Sequence, residues 1–422
     1  MTSTGQVAVA IDLGTTTIAA SLVDCTTGSR LAVTGALNPQ RSFGADVISR
    51  MDRALNSSAD AAALSVLINR CLSSLTRELL ERAGVDAGRL ARVAIAGNPA
   101  MEHLLLGLSV ERLAFPPYLP LFRSTRGFGT GSMGWELDLP AVLFPLPGGF
   151  VGGDLVSFLY GEGLREQAAT DLIRLYLDLG TNGEMTLAAG GKLYATAAAA
   201  GPAFEGGNIA CGMPALAGAI HRVALKGDRL QLSVVGGGAS TGICGSALLD
   251  LVAALLDAGV IDSTGRLLTP AEIPSSLGNR VEEAAGQLRF VLYRDARTVL
   301  YLSQDDIRQF QLAKGAIRAG MEVLCGRAGI SVGDVAEIVI TGSFGAELSA
   351  PSLKRVGIFT GNMVENAHFV REGALRGVEC AVSRSDGLDE VERLSGAIRV
   401  IPLSGTPAFE KQFVAQLNFP TV

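Results

Sequence analysis

The sequence predicts an α/β protein built from two homologous half-domains that face one nucleotide. Two observations carry the prediction. Asp12-Leu-Gly-Thr-Thr-Thr17 and Asp178-Leu-Gly-Thr-Asn-Gly-Glu184 are near copies set far apart in the chain, and a third turn, Gly342-Ser-Phe-Gly345, follows the strand-like run Ile338 to Thr341. Each copy closes an apolar run (Val7 to Ile11, Leu175 to Leu177) and leads into a second one (Ile18 to Val23, Met185 to Leu187), the pattern of a hairpin.

The hairpin turns carry the residue types that a phosphate clasp needs. Gly14 and Gly180 let the backbone come close to a ligand, and Thr15, Thr16, Thr181 and Asn182 supply hydroxyl and amide donors. A carboxylate repels bare phosphate, so Asp12 and Asp178 imply a divalent cation between the two, with Mg²⁺ expected. One such turn is an ordinary strand end with a capping acid. Two copies and a later Gly-Ser-Phe-Gly, in this order, resemble the acetate and sugar kinase, Hsp70 and actin superfamily. That resemblance implies an α/β fold of two ribonuclease-H-like (actin/Hsp70-type) lobes around an ATP cleft, with residues 1–147 as the first lobe and 148–422 as the second. Gly342, Ser343 and Gly345 then stand where the backbone approaches adenosine.

Along the first lobe, the polar loop Asn38 to Val47 passes into a helix through Arg53, and Asp60 to Ala83 is a helix with Leu64, Leu67, Ile68, Cys71, Leu75 and Leu79 on one stripe. The strand Val93 to Ala96 meets Gly97-Asn98-Pro99, a turn that points Asn98 toward the cleft. Pro116 to Pro120 and Gly127 to Gly134 read as loop. A helix from about Val151 to Gly161 sits where the superfamily places its first hinge helix. Asp154 at its start either complements the helix dipole or serves as a cleft carboxylate that orders the metal's water shell or the attacking water.

In the second lobe, Glu184 leaves the hairpin, and Glu205 is the one acid in the Gly- and Pro-rich loop Ala200 to Gly212. That carboxylate bonds local backbone N–H groups or faces a partner. Ala247 to Ala258 is an apolar helix ending at Gly259. Ser303 and Asp306 have capping-box spacing before a helix whose stripe, Ile307, Phe310, Ile317, Met321 and Leu324, includes Lys314. Such a lysine snorkels to the surface or reaches a nucleotide, and the second reading is favoured by the strand that follows. Asn362 to Val378 reads as the second hinge helix, and Ile398 to Phe419 as a closing strand and tail.

Composition narrows the partners. Lys plus Arg number 35 against 41 Asp plus Glu, and no basic block marks a nucleic-acid or membrane surface. The longest apolar stretches are broken by Glu205, Asp250 and Asp257, so no membrane span is expected. The short polar Met1 to Gln6 leaves no leader, and the cytoplasm is the expected location. Six cysteines stand singly, without the clusters that hold iron-sulfur or zinc, and a functional Cys211–Cys244 pair, across a homodimer or within one chain, is the minor reading.

At a finer level the second hairpin, Ala200-Gly-Pro-Ala-Phe-Glu-Gly206, Ile243-Cys-Gly-Ser246, Gln311-Leu-Ala-Lys-Gly-Ala316 and Gly342-Ser-Phe-Gly345 together resemble the ATP-dependent reductive activators of corrinoid proteins. Asn38-Pro-Gln40 and Gly44-Ala-Asp-Val-Ile-Ser-Arg50 extend the resemblance over nearly the whole chain. It implies an ATPase whose lobe closure restores cob(II)alamin of a corrinoid methyl-transfer protein to cob(I). Many such proteins carry an iron-sulfur domain, which is not read in this sequence. Either a separate ferredoxin-like donor supplies the electron, or the chain is a truncated or divergent member with another task. A small-molecule kinase using Asp154 or Glu184 as base, and a nucleotide-regulated scaffold, are the rival readings.

Overall fold

The computed structural model describes residues 5–164, 172–342 and 348–421, so Ser343 and Gly345 lie outside the described residues. The sequence reads as two consecutive lobes, but the compact units are discontinuous along the chain. The first comprises Met1–Asp171, Gly190–Ala195 and Glu372–Val400, and the second Leu172–Ala189, Thr196–Arg371 and Ile401–Val422.

The first unit opens with β1 (Val7–Leu13), β2 (Thr17–Asp24) and β3 (Arg30–Leu37), then α1 (Val47–Asn56) and α2 (Ser58–Ala83). There follow β4 (Leu90–Gly97), α3 (Pro99–Leu105), α4 (Glu111–Ala114), β5 (Arg126–Gly129), β6 (Pro140–Leu143) and α5 (Gly153–Gly161). Its sheet runs β3-β2-β1-β4-β6-β5, parallel at β1–β4 and β4–β6 and antiparallel elsewhere. Strand alternation divides β1 between two layers. Val7, Val9, Ile11 and Leu13 join Leu64, Ile68, Leu72, Leu75 and Leu79 of α2 in one core. Each such side chain contributes about 1.5–3 kcal/mol on full burial.

The second unit contains β7 (Arg174–Leu179), β8 (Gly183–Ala189) and the end of β9 (Lys192–Ala198), then β10 (Ala219–Lys226), β11 (Arg229–Val234), β12 (Gly242–Ile243) and α6 (Gly245–Asp257). It continues with β13 (Val281–Ala284), β14 (Gln287–Arg294), β15 (Val299–Ser303), α7 (Gln304–Ala328), β16 (Glu337–Gly342), α8 (Ala350–Arg355) and β17 (Ala367–Phe369). α9 (Gly373–Val382), α10 (Gly387–Ala397) and β18 (Ile398–Val400) return to the first unit, and α11 (Pro407–Ala415) to the second.

The repeat seen in the motifs is a repeat of topology. β1 is antiparallel to β2 and parallel to β4; β7 is antiparallel to β8 and parallel to β16. Asp12 faces Ala96 across the parallel pair and Asp178 faces Thr341, while Gly97 and Gly342 stand beside the following leucines, Leu13 and Leu179. The turns differ: Leu13 pairs with Ile18, whereas Leu179 pairs with Gly183, so the second hairpin is one residue tighter.

Two sequence expectations are corrected. The helix expected over Asn362 to Val378 is α9, starting at Gly373, because Ala367–Phe369 is taken up as a strand beside β16. The tail holds a helix, α11, started by Thr406 capping Phe409 N–H with Pro407 at its first turn. α9 crosses α5 with backbones in contact. A Cβ on Gly377 would lie 1.7 Å from the Ser157 carbonyl oxygen, and one on Gly161 3.0 Å from the Gly377 Cα. The Ser157 hydroxyl donates to the Ala374 carbonyl at 2.6 Å, closing the crossing.

α7 is opened by the expected box, Asp306 N–H donating to Ser303 Oγ at 3.1 Å and Ser303 N–H to Asp306 Oδ2 at 2.8 Å. On this helix Lys314 is 1% exposed. Its ammonium donates to the Asn418 carbonyl and lies 5.0 Å from the Phe419 ring centroid. Gln311 donates to the Leu417 carbonyl at 3.0 Å, so α7 grips the C-terminal segment by its backbone. Burial first, and then the charge of Arg318, pull the lysine down to about 7 from an ordinary 10.5. Between those values the unfolded chain binds more protons than the fold, so stability rises with pH through that window. The unfolding midpoint is therefore expected to climb more in the parent than in Lys314→Met as pH goes from about 7 to 9.5. Parallel profiles would contradict this assignment.

Candidate functional site

In the first unit the site is built at the C-terminal ends of β1 and β4. Asp12 is the last residue but one of β1, and the turn after it leaves no room at Gly14, where a Cβ would lie 2.4 Å from the Thr17 carbonyl oxygen. Two asparagines hold this turn. Asn38 donates from Nδ2 to the Gly14 carbonyl at 2.9 Å and accepts from Gln40 N–H at 3.0 Å. Asn98 caps α3 by accepting from Met101 N–H at 3.0 Å, and donates to Thr15 Oγ1 at 2.9 Å. With Thr15 Oγ1 accepting, its own hydroxyl proton is directed elsewhere, as a phosphate donor requires.

The start of α5 is pressed onto this corner, since a Cβ on Gly152 would lie 2.5 Å from both the Asn98 Cα and the Gly97 carbonyl oxygen. Asp154, in the first turn of α5, accepts from its neighbour Leu155 N–H at 2.8 Å. Burial pushes its carboxyl above the usual range. Beside it is an acid that the sequence reading passed over. Glu102 of α3 is 0% exposed, accepts from Gly97 N–H at 3.2 Å through Oε1, and has no partner at Oε2. Burial, and after it the charge of Asp154, push its carboxyl well above the usual range. The available signal was an acid one turn into the helix that follows Asn98-Pro99, where every other residue but His103 is apolar.

In the second unit Asp178 lies on β7 between Glu184 of β8 and Thr341 of β16. Gly342 has φ of 130°, and a Cβ there would lie 2.2 Å from the Leu179 carbonyl oxygen, so only glycine fits. The turn closes through Gly180 N–H donating to the Asn182 carbonyl at 3.2 Å. Thr181 Oγ1 donates to Glu205 Oε2 at 2.6 Å. Glu205 thus turns onto the hairpin, carried there by the turn Pro202–Glu205 between Gly201 and Gly206, both at positive φ. Lys314, as described, is taken up with the C-terminal segment.

Cys211 and Cys244 come close through the chain, since Ile243 N–H donates to the Cys211 carbonyl at 2.8 Å. Their sulfurs have separate partners: Tyr301 N–H donates to Cys211 Sγ at 3.5 Å, and Cys244 Sγ lies 3.3 Å from Ser246 Oγ. All six cysteines are free thiols, and among the described residues no three His, Cys, Asp or Glu side chains converge on a metal position.

The comparisons with known proteins bear on the whole of this architecture. A family model described as the RACo middle region matches residues 7–167, and another, described as the C-terminal domain of RACo, the ASKHA domain, matches residues 172–422. The chain belongs to the RACo family. Its fold is accordingly α/β of the ASKHA type, with two ribonuclease-H-like lobes, as the hairpins led us to expect. Among RACo-like proteins, the chain is 31% identical over 362 residues to the corrinoid activation enzyme RamQ of Eubacterium limosum, covering 83% of this chain and 60% of that protein. It is 23% identical over 448 residues to a [Co(II) methylated amine-specific corrinoid protein] reductase of Methanosarcina barkeri, covering 98% of this chain and 77% of the other. A solved structure of a reductive activator for corrinoid, iron-sulfur protein superposes with a TM-score of 0.88 at 30% identity, covering 100% of this chain and 67% of that one. The chain therefore spans about 60% of the length of the first of these relatives.

Proposed function

We propose that this chain is an ATP- and Mg²⁺-dependent ATPase that couples a nucleotide-driven conformational change to reductive reactivation of a corrinoid protein, the electron coming from a separate ferredoxin-like donor. The observation that supports it best is the pair of topologically equivalent hairpins, each with a strand-end aspartate and a glycine turn, in a chain of the RACo family.

The donor set suits the ligand. A strand-end aspartate in each hairpin suits a hard cation that keeps most of its waters. In this reading Asp12 and Asp178 orient those waters. Gly14, Gly180 and Gly342 allow backbone approach, Thr15, Thr16 and Asn182 donate to phosphate oxygens from their side chains, and Thr181, whose hydroxyl donates to Glu205, donates from its backbone N–H. Asp154 and Glu184 are the carboxylates available for the attacking water. Ser343 and Gly345 belong to the same proposal, while the packing of Lys314 gives no support to a nucleotide contact. A cation held through its waters by Asp12 and Asp178 would supply charge neutralisation at the phosphates, and positioning and electrostatics do the rest. ATP can bias a conformational equilibrium only through its differential affinity for the two states, and a partner that prefers one state feels that bias.

No helix among the described residues is long and apolar enough to cross a membrane. The proposal places the protein in the cytoplasm, with neither nucleic acid nor membrane as partner. An anaerobic assay with a cob(II) corrinoid protein tests it. Cob(I) absorption is expected only when this chain, ATP, Mg²⁺ and a low-potential reductant are all present. Formation at the same rate without the chain would contradict the proposal and favour a kinase or scaffold.

A further inference from the structure

The two hairpins are near copies in sequence, yet the threonine that follows each turn glycine is hydrogen-bonded in the opposite sense. A hydroxyl has one proton to give and lone pairs to receive with, so a protein partner that fixes one role leaves the other for a ligand. Asn98 Nδ2 donates to Thr15 Oγ1 at 2.9 Å, and the amide cannot be turned round, because its Oδ1 accepts from Met101 N–H at 3.0 Å. Thr15 is therefore an acceptor toward the protein, and its proton is left to give. The backbone on both sides of it is fixed as well, since Asn38 donates from Nδ2 to the Gly14 carbonyl and from its N–H to the Thr16 carbonyl, both at 2.9 Å. In the second hairpin Thr181 Oγ1 donates to Glu205 Oε2 at 2.6 Å. A carboxylate has no proton to return, so the Thr181 hydroxyl is committed as a donor and keeps its lone pairs. Both threonines are buried.

Resting on the ATPase reading above, we propose that Asn98 and Glu205 are positioning residues that give the two threonine hydroxyls different ligands: Thr15 gives its proton to a phosphate oxygen of ATP, and Thr181 Oγ1 receives a hydrogen bond from a water of the hydrated Mg²⁺. The chemistry of the two ligand atoms matches. An ionised phosphate oxygen only accepts, and a water whose lone pair is held by a hard cation donates. Asp178 of the same hairpin orients waters of that ion in this reading. The likeness of the two motifs hides the division, because it is set from outside them, by Asn98 at the start of α3 and by Glu205 in the turn Pro202–Glu205.

Equilibrium binding of ATP to the full chain, measured with Mg²⁺ and again with EDTA, tests this. Thr15→Val removes the phosphate donor and should weaken ATP about tenfold under both conditions. Thr181→Val should weaken ATP about fivefold with Mg²⁺ and leave metal-free binding within about twofold of the parent. Asn98→Asp keeps the cap on Met101 N–H, since aspartate and asparagine cap alike, but its second oxygen only accepts and captures the Thr15 proton. Its added charge repels ATP in any background. The loss caused by Asn98→Asp should therefore be at least about fivefold greater in the parent than in the Thr15→Val background, a coupling that support of α3 alone does not give. Equal losses in the two backgrounds, or metal-free ATP weakened as much by Thr181→Val as by Thr15→Val, would overturn the inference and leave the ATPase reading standing. A parent that binds ATP neither with nor without Mg²⁺ would overturn that reading and this inference together. Should Asn98→Asp not fold, the two threonine variants decide by themselves.

Discussion

Replacing Asp178 by alanine is expected to lower Mg²⁺-ATP turnover at least tenfold, about 1.4 kcal/mol of barrier, without unfolding the protein. The carboxylate stands on β7 at the mouth of the hairpin, flanked by β8 and β16, and is only partly buried. Its backbone pairing does not depend on the side chain, so the sheet survives the substitution. What is lost is a fixed charge that orients metal-bound water, and the Glu184 carboxylate opposite it on β8 is assigned a different role. Asp12→Ala should act alike, because Asp12 has the equivalent position between β2 and β4. Steady-state hydrolysis at several Mg²⁺ concentrations, with thermal unfolding as the control for folding, is the measurement. A variant that hydrolyses ATP at the parent rate with unchanged Mg²⁺ dependence would contradict the assignment of that hairpin.

Most of the architecture was legible because its signals are local. Asp-Leu-Gly-Thr is a turn written in consecutive residues, and its recurrence implies recurrence of the strands around it. The box at Ser303 and Asp306 and the stop at Gly84, which adopts the left-handed conformation after α2, are likewise short-range. Misreadings came where tertiary pairing overrides local pattern. Ala367–Phe369 pairs with β16, which moved the second crossing helix to Gly373. α11 was missed although Thr406-Pro407 is a start signal, because the run before it ended in a strand and was extended as a tail. The place of the aspartates and glycines in the two hairpins could be read from the sequence. Glu102 and the Thr181–Glu205 hydrogen bond could not, since each depends on contacts between elements whose approach no spacing encodes. Glu205 reads as a loop acid for a partner or its own backbone; its Oε2 accepts from Thr181 of the hairpin. Lys314, expected to reach a nucleotide, has the Asn418 carbonyl and the Phe419 ring as partners, contacts that no spacing encodes.

The second large effect follows from what an activator of this kind must do. The proposed role is to change the grip on a corrinoid protein as nucleotide binds. Coupling of this sort is reciprocal and typically amounts to about 1–3 kcal/mol, or 5- to 150-fold in affinity. The most direct measurement is the dissociation constant of this chain for a cob(II) corrinoid protein from the same host, in the nucleotide-free state and with ATP and Mg²⁺ under non-turnover conditions. We expect the two constants to differ at least about fivefold, and the affinity for ATP to change by the same factor when the corrinoid protein is present. Equal constants in the two states would contradict the account.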